Sequence, residues 1–202
     1  MRLSRMFGLA ALAAVTAMAF LSTTSVLATS TQLCKVHIAL LCGAGDAQTH
    51  LHYVLSAGTV LKILAPIAVL CLGALIENEV LGLAVNGPQV IHTTGLSFTG
   101  CGTGSAHDNC TITVEEQPLS HLLKTGLDEG VFTQLSGRLR IVCSNIGINC
   151  LYDLEGTELS ANGRDLTATE NPLTELAGKT FCPDELFLDA LFKSLLDGYI
   201  LG

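Results

Sequence analysis

Leu96-Ser97-Phe98-Thr99-Gly100-Cys101, followed after a short turn by Cys110-Thr111-Ile112-Thr113-Val114, is the stretch that decides the fold. Apolar and polar residues alternate on both sides of the turn, and side chains two apart share a face in an extended chain. The residues between are rich in Gly, Ser, Asp and Asn, which favour chain reversal. This reads as a β-hairpin with a cysteine on each side of its neck. The pattern returns at Leu139-Arg140-Ile141-Val142-Cys143 and Cys150-Leu151-Tyr152-Asp153-Leu154, where Leu139, Ile141 and Cys143 share one face.

Further short apolar runs follow at Leu166 to Thr169, Leu173 to Leu176 and Leu186 to Leu195. Turn signals separate them: Asn162-Gly163, Asn171-Pro172, Ala177-Gly178 and Asp197-Gly198. Many short strands punctuated in this way predict an all-β fold, an antiparallel sandwich or flattened barrel. Leu188 to Leu196 and Pro118 to Lys124 have spacings that a helix also uses, and periodicity leaves both open. Val54 to Val85 is apolar enough to suggest a membrane span, but Lys62, Pro66 and Glu77 interrupt it. The remaining run suits buried strands better than a bilayer crossing.

The first residues form a separate unit. Arg2 and Arg5 precede an apolar run from Met6 to Leu21, and Val26-Leu27-Ala28 offers a cleavage site. Residues 1–28 therefore read as a signal peptide and 29–202 as a single secreted β domain, attached to a membrane only if the signal stays uncleaved. No cysteine follows the apolar run before Cys34, so a lipid anchor is not expected. The formal net charge is -8, and loss of Arg2 and Arg5 makes it more negative. No basic cluster follows, which argues against nucleic acid as a partner.

All eight cysteines lie beyond Ala28, an even number in a chain read as exported, which predicts disulfides. No C-x-x-C spacing occurs, so a zinc knuckle is not expected. Three couples lie close along the chain, Cys34 with Cys42, Cys101 with Cys110, and Cys143 with Cys150, and the last two bracket turns that contain Gly and Asn. Cys71 and Cys182 are left as the fourth pair.

The strings Leu151 to Gly156, Leu166 to Thr174, Phe181-Cys182-Pro183-Asp184-Glu185, Leu188 to Ser194 and Tyr199-Ile200 together resemble a family of uncharacterised exported, disulfide-containing actinobacterial proteins. The resemblance implies a β-rich domain and a strand over Leu186 to Leu195. It brings no activity and no catalytic residues.

Candidate chemistry is sparse. His50 and His52 share one side of a strand and form a possible metal pair, needing a third ligand such as His92, His107 or Asp46. Ser105, His107 and Asp108 are triad residue types, but they crowd one turn, whereas triads converge from separate segments. Turn chemistry is expected there instead, with Asp108 and Asn109 accepting backbone N–H bonds and Gly102 and Gly104 supplying positive φ. Gly100-Cys101-Gly102-Thr103-Gly104 joins two strands, which is the wrong context for a dinucleotide loop. Asn109-Cys110-Thr111 matches a glycosylation pattern, read as chance. The acidic doublets Glu115-Glu116, Asp128-Glu129 and Asp184-Glu185 lack calcium-loop spacing and read as solvated surface.

The chain contains no tryptophan. Phe98, Phe132, Phe181, Phe187 and Phe192 are expected in the core, leaving Tyr53, Tyr152 and Tyr199 for display, few for a surface that stacks sugars or bases. The function expected is a non-catalytic secreted or envelope-associated protein binding an unidentified extracellular partner, without a cofactor. The alternatives are a small secreted hydrolase and a metal-binding protein using His50 and His52.

Overall fold

The computed structural model describes residues 31–202, apart from 36–41, 44, 58–60, 65–67, 83–86, 105–108, 178–181, 197 and 202. The leader read at residues 1–28, together with Ser105, His107, Asp108 and Phe181, lies outside the described residues. Twelve strands occur among those described: β1 (Gln32–Cys34), β2 (His50–Leu55), β3 (Leu61–Leu64), β4 (Val69–Val80), β5 (Gln89–Thr103) and β6 (Cys110–Gly126), followed by β7 (Glu129–Cys143), β8 (Ile148–Asp153), β9 (Glu158–Asn162), β10 (Asp165–Ala177), β11 (Glu185–Ser194) and β12 (Tyr199–Leu201). The described residues contain no helix.

β2 and β3 both pair antiparallel with β4 and with β11, so they are two halves of one stave. β8 and β9 stand in the same relation to β7 and β10. Joined in this way, the strands make a closed antiparallel barrel of 8 staves. The staves follow each other in chain order, and β11 seals the ring against β2 and β3. Of the two architectures expected, the barrel is the one present. Closure leaves no unpaired edge among the staves.

Alternation decides which side chains face in. Along β8, Ile148, Cys150 and Tyr152 are buried while Asn149, Leu151 and Asp153 are partly exposed. Both helix-compatible segments are strand: Pro118 to Lys124 lies in β6, and most of Leu188 to Leu196 in β11. Pro118 cannot donate to a ladder, and it sits where the β6–β7 register shifts, a place that tolerates the missing N–H. Opposite it, Gly137 has φ 140°, and a Cβ there would lie 3.2 Å from Pro118 Cα. Glycine is what lets the two staves approach.

Three sequence readings are corrected. Asn171-Pro172 is no turn but part of β10, beside a bulge at which Glu170 takes φ 47°. Asn171 Oδ1 accepts from Glu158 N at 2.9 Å and pins the distortion. The apolar run through β4 is not buried on both faces, since Leu72 points out and is 54% exposed. A barrel stave has only one covered face.

The third correction concerns the disulfides. All eight cysteines are bonded, and Cys34–Cys42 forms as expected. The others are Cys71–Cys101, Cys110–Cys143 and Cys150–Cys182. Cys101 and Cys110 do face each other across the β5–β6 neck. Each bonds instead to the cysteine on its other side, Cys71 on β4 and Cys143 on β7. Hairpin spacing shows a strand only one of its two neighbours, and the bonds were made to the other. Cys71, Cys101, Cys110 and Cys143 thus form one inward row across four staves.

At the opposite end, β1 and β12 pair into a two-stranded ribbon. Leu33 and Ile200, each 3% exposed, belong to the barrel's apolar core. Thr31 ties the ribbon down, its N–H donating to Gly87 O at 2.9 Å and its Oγ1 accepting from Lys124 N at 3.0 Å. Between the two ends, Tyr53 and Phe132 meet from opposite staves, edge to face, with ring centres 6.4 Å apart.

Candidate functional site

Along β7 the inward positions include Gly130, Phe132, Gln134, Leu139, Ile141 and Cys143. Between the aromatic pair at Phe132 and the cysteine row lies a cavity of about 60 Å³. Its wall is apolar on most sides, with Ile76, Leu96, Phe98, Leu139, Leu188 and Phe192 from β4, β5, β7 and β11. Inward alternation put these side chains there, with register shifts that change its phase between Thr93 and Leu96 on β5 and between Gln134 and Leu139 on β7. Thr93, Gln134 and Thr157 supply its polar part.

Those three belong to a belt of buried polar residues around the waist of the barrel: Asn78, Thr93, Ser120, Gln134, Thr157 and Asn171. Asn78 faces Thr93 across β4–β5, and Ser120 faces Gln134 across β6–β7. Most of the belt is satisfied within the protein. Thr93 Oγ1 donates to Asn78 Oδ1 at 2.8 Å, and Thr157 Oγ1 donates to Leu154 O at 2.8 Å. Gln134 differs: it is 8% exposed and its Oε1 has no hydrogen-bond partner. A buried acceptor left in that state costs about 1–3 kcal/mol. Among the described residues, the cavity wall carries no carboxylate, imidazole, thiol or amine.

The residues singled out from sequence lie elsewhere. His50 and His52 face outward from β2 on one side of the strand, with buried Leu51 between them. β4 separates them from His92: His50 faces Glu79, and Glu79 faces His92 on β5. His52 Nδ1 lies 3.7 Å from Glu77 Oε1, and Asp46 O accepts from Lys35 N beside the ribbon. Among the described residues no group of three metal-ligating side chains comes together. His107 lies outside them, and so do Ser105 and Asp108.

At the β5–β6 turn, Asn109 Oδ1 accepts from Thr103 N at 2.9 Å, as turn chemistry requires. Gly104 has positive φ as expected, but its companion is Gly100 rather than Gly102. Glu115 and Glu116 are not merely solvated, since they pair with Arg140 and Arg138 across the outer wall. The expectation for aromatics needs revising. Phe187 is 40% exposed on the outside, whereas Tyr53 and Tyr152 are buried at 4% and 1%.

Burial pushes both tyrosine hydroxyls far above their ordinary range. For Tyr152, the nearby carboxylates of Glu175 and Asp184 add to the effect. Its hydroxyl donates to Pro183 O at 3.2 Å. Gln134 was missed by sequence reasoning, although a signal was present. It shares the phase of Gly130 and Phe132, so an inward strand pattern places an amide at a core position.

No family model, curated protein or solved structure matches the chain. Function is therefore read from the residues themselves.

Proposed function

We propose that the protein is a non-catalytic binding barrel working outside the cytoplasm, with residues 1–28 directing its export, and that it holds a small apolar guest inside the barrel. Four disulfides suggest an oxidising extracellular or envelope environment. The observation that carries the binding reading is the cavity bounded by Phe98, Leu139, Leu188 and Phe192. Barrels of this strand number are either filled by their own side chains or enclose one small ligand. Here the side chains stop short of filling it. Among the described residues the wall carries no carboxylate, imidazole or amine to transfer protons, and its two hydroxyls, on Thr93 and Thr157, give their protons to Asn78 Oδ1 and Leu154 O rather than to a base that would activate them, which supports binding over hydrolysis.

The size of the space limits the guest. An apolar cavity of about 150 Å³ takes a benzene ring, and this one measures about 60 Å³. A slender aliphatic group fits that description better than a ring.

The test is a methyl NMR titration of the oxidised protein with short aliphatic probes. Saturable shifts are expected for Leu139 and Leu188, and none for Leu127, which is 74% exposed at the β6–β7 turn. Shifts that never saturate, or that appear first on exposed leucines, would overturn the reading.

A further inference from the structure

We propose that the guest enters hydroxyl first, an aliphatic chain end whose O–H donates to Gln134 Oε1. The inference rests on the binding reading above and specifies its chemistry. The cavity meets the polar belt at Thr93, Gln134 and Thr157. The two threonine hydroxyl protons are committed to Asn78 Oδ1 and Leu154 O. Gln134 Oε1 is the acceptor without a partner, and its side chain is more than nine-tenths buried. The site thus presents an acceptor and asks for a donor.

Three classes of donor compete, and the wall discriminates among them. An ammonium group needs a counter-charge when taken out of water, and no carboxylate lines the cavity. An amide brings a carbonyl, which Gln134 Nε2 can serve, and a further N–H that a wall apolar on most sides leaves without a matching acceptor. A hydroxyl supplies the one donor required and little else that must be satisfied. Behind it, the methylenes lie against Phe98, Leu139 and Leu188. The free energy already spent on a lone buried acceptor is recovered when the donor arrives, so the unliganded barrel is primed for it.

The chain end can belong to a free short alcohol or to a longer lipid-like alcohol whose tail leaves the cavity. The chemistry is shared, and chain length separates the two.

The experiment compares ethanol with its isomer dimethyl ether, which lacks the donor, on the full oxidised protein by NMR titration. Ethanol should bind about tenfold tighter, the effect of one hydrogen bond. In Gln134→Met that preference should shrink to less than about twofold while the melting temperature holds or rises, because the unsatisfied acceptor has gone. Equal binding of alcohol and ether to the wild type would sink the assignment of Gln134 and leave the apolar-guest reading standing. Binding of neither would overturn both. A preference that survives in Gln134→Met also refutes the assignment. The wild-type comparison needs no variant, so the proposal is tested even if the substitution prevents folding. Affinity that climbs from ethanol to 1-decanol identifies the long-chain form, and affinity that peaks near ethanol identifies the free alcohol.

Discussion

At one end of the barrel, Cys71, Cys101, Cys110 and Cys143 bind neighbouring staves covalently, and Cys150 reaches Cys182 just ahead of β11. At the other end, a two-stranded ribbon brings Leu33 and Ile200 into the core, and its own disulfide, Cys34–Cys42, spans only 8 residues. The two closures act on different states of the chain. A cross-link between staves restricts the unfolded ensemble and depends little on how neighbouring side chains pack. A packed ribbon stabilises only the folded state, in proportion to the apolar contacts it makes. One end should therefore respond to loss of a bond, and the other to loss of a methyl group.

The largest effect is expected at the cysteine row. Cys71 and Cys101 close a loop with a sequence separation of 30, and removing such a bridge costs about 3.6 kcal/mol by the loop-entropy account. Cys71→Ser and Cys101→Ser should each lower the melting temperature by roughly 10 °C at this chain size. The double variant should fall no further than the worse single, because both substitutions delete the same bond. Thermal melts of the three variants decide the matter. Additive losses would mean that the two cysteines serve different bridges, as hairpin spacing alone suggests.

The ribbon end comes next in size. Ile200→Ala should cost about 3 kcal/mol, within the range for deleting buried branched side chains. A Cβ on Gly130 would lie 3.0 Å from Ile200 Cδ1, which shows how closely the ribbon sits on the staves. Because the ends share no residues, the Ile200→Ala loss should be the same within about 0.5 kcal/mol in the Cys71→Ser background. Denaturant titrations of the single and double variants measure this. A larger coupling would mean that the cysteine row and the ribbon are not independent closures.

These two regions were unequally legible in the sequence. The hairpin β5–β6 could be read because its alternation and its turn are local, and the strand over Leu186 to Leu195 emerged at Glu185–Ser194. Cys34–Cys42 was equally local. The remaining bonds depend on which strand lies on the far side of each hairpin, and that is set by closure of the whole ring. The same limit explains Phe187 and the tyrosines. Parity along a strand tells which residues share a face, but only the closed barrel decides which face is inside. Gln134 was visible as a polar residue in the core phase of β7, while its unpaired oxygen depends on the side chains that five other staves bring to the waist.

The smallest predicted effect uses a tyrosine from each half of the interior. Tyr53 is raised by burial alone, whereas Tyr152 is raised by burial together with Glu175 and Asp184. In the unfolded chain a tyrosine ionises near pH 10, and in the barrel both hydroxyls hold their protons well above that. The fold thus favours the neutral form, so the stability concerned is complete below about pH 10 and is lost as pH rises towards the folded-state value. Each tyrosine should contribute a decline of up to about 1.4 kcal/mol per pH unit in that window. Tyr53→Phe should flatten the decline by the same amount at low and high salt, since desolvation is not screened. Tyr152→Phe should flatten it less at high salt, because part of its effect is Coulombic repulsion by carboxylates that salt weakens. Stability measured by urea titration between pH 8 and 11.5, at two ionic strengths, separates the two. Equal salt dependence would show that the carboxylates do not reach Tyr152, and an unchanged slope in Tyr53→Phe would show that Tyr53 is not sealed from water by its contact with Phe132.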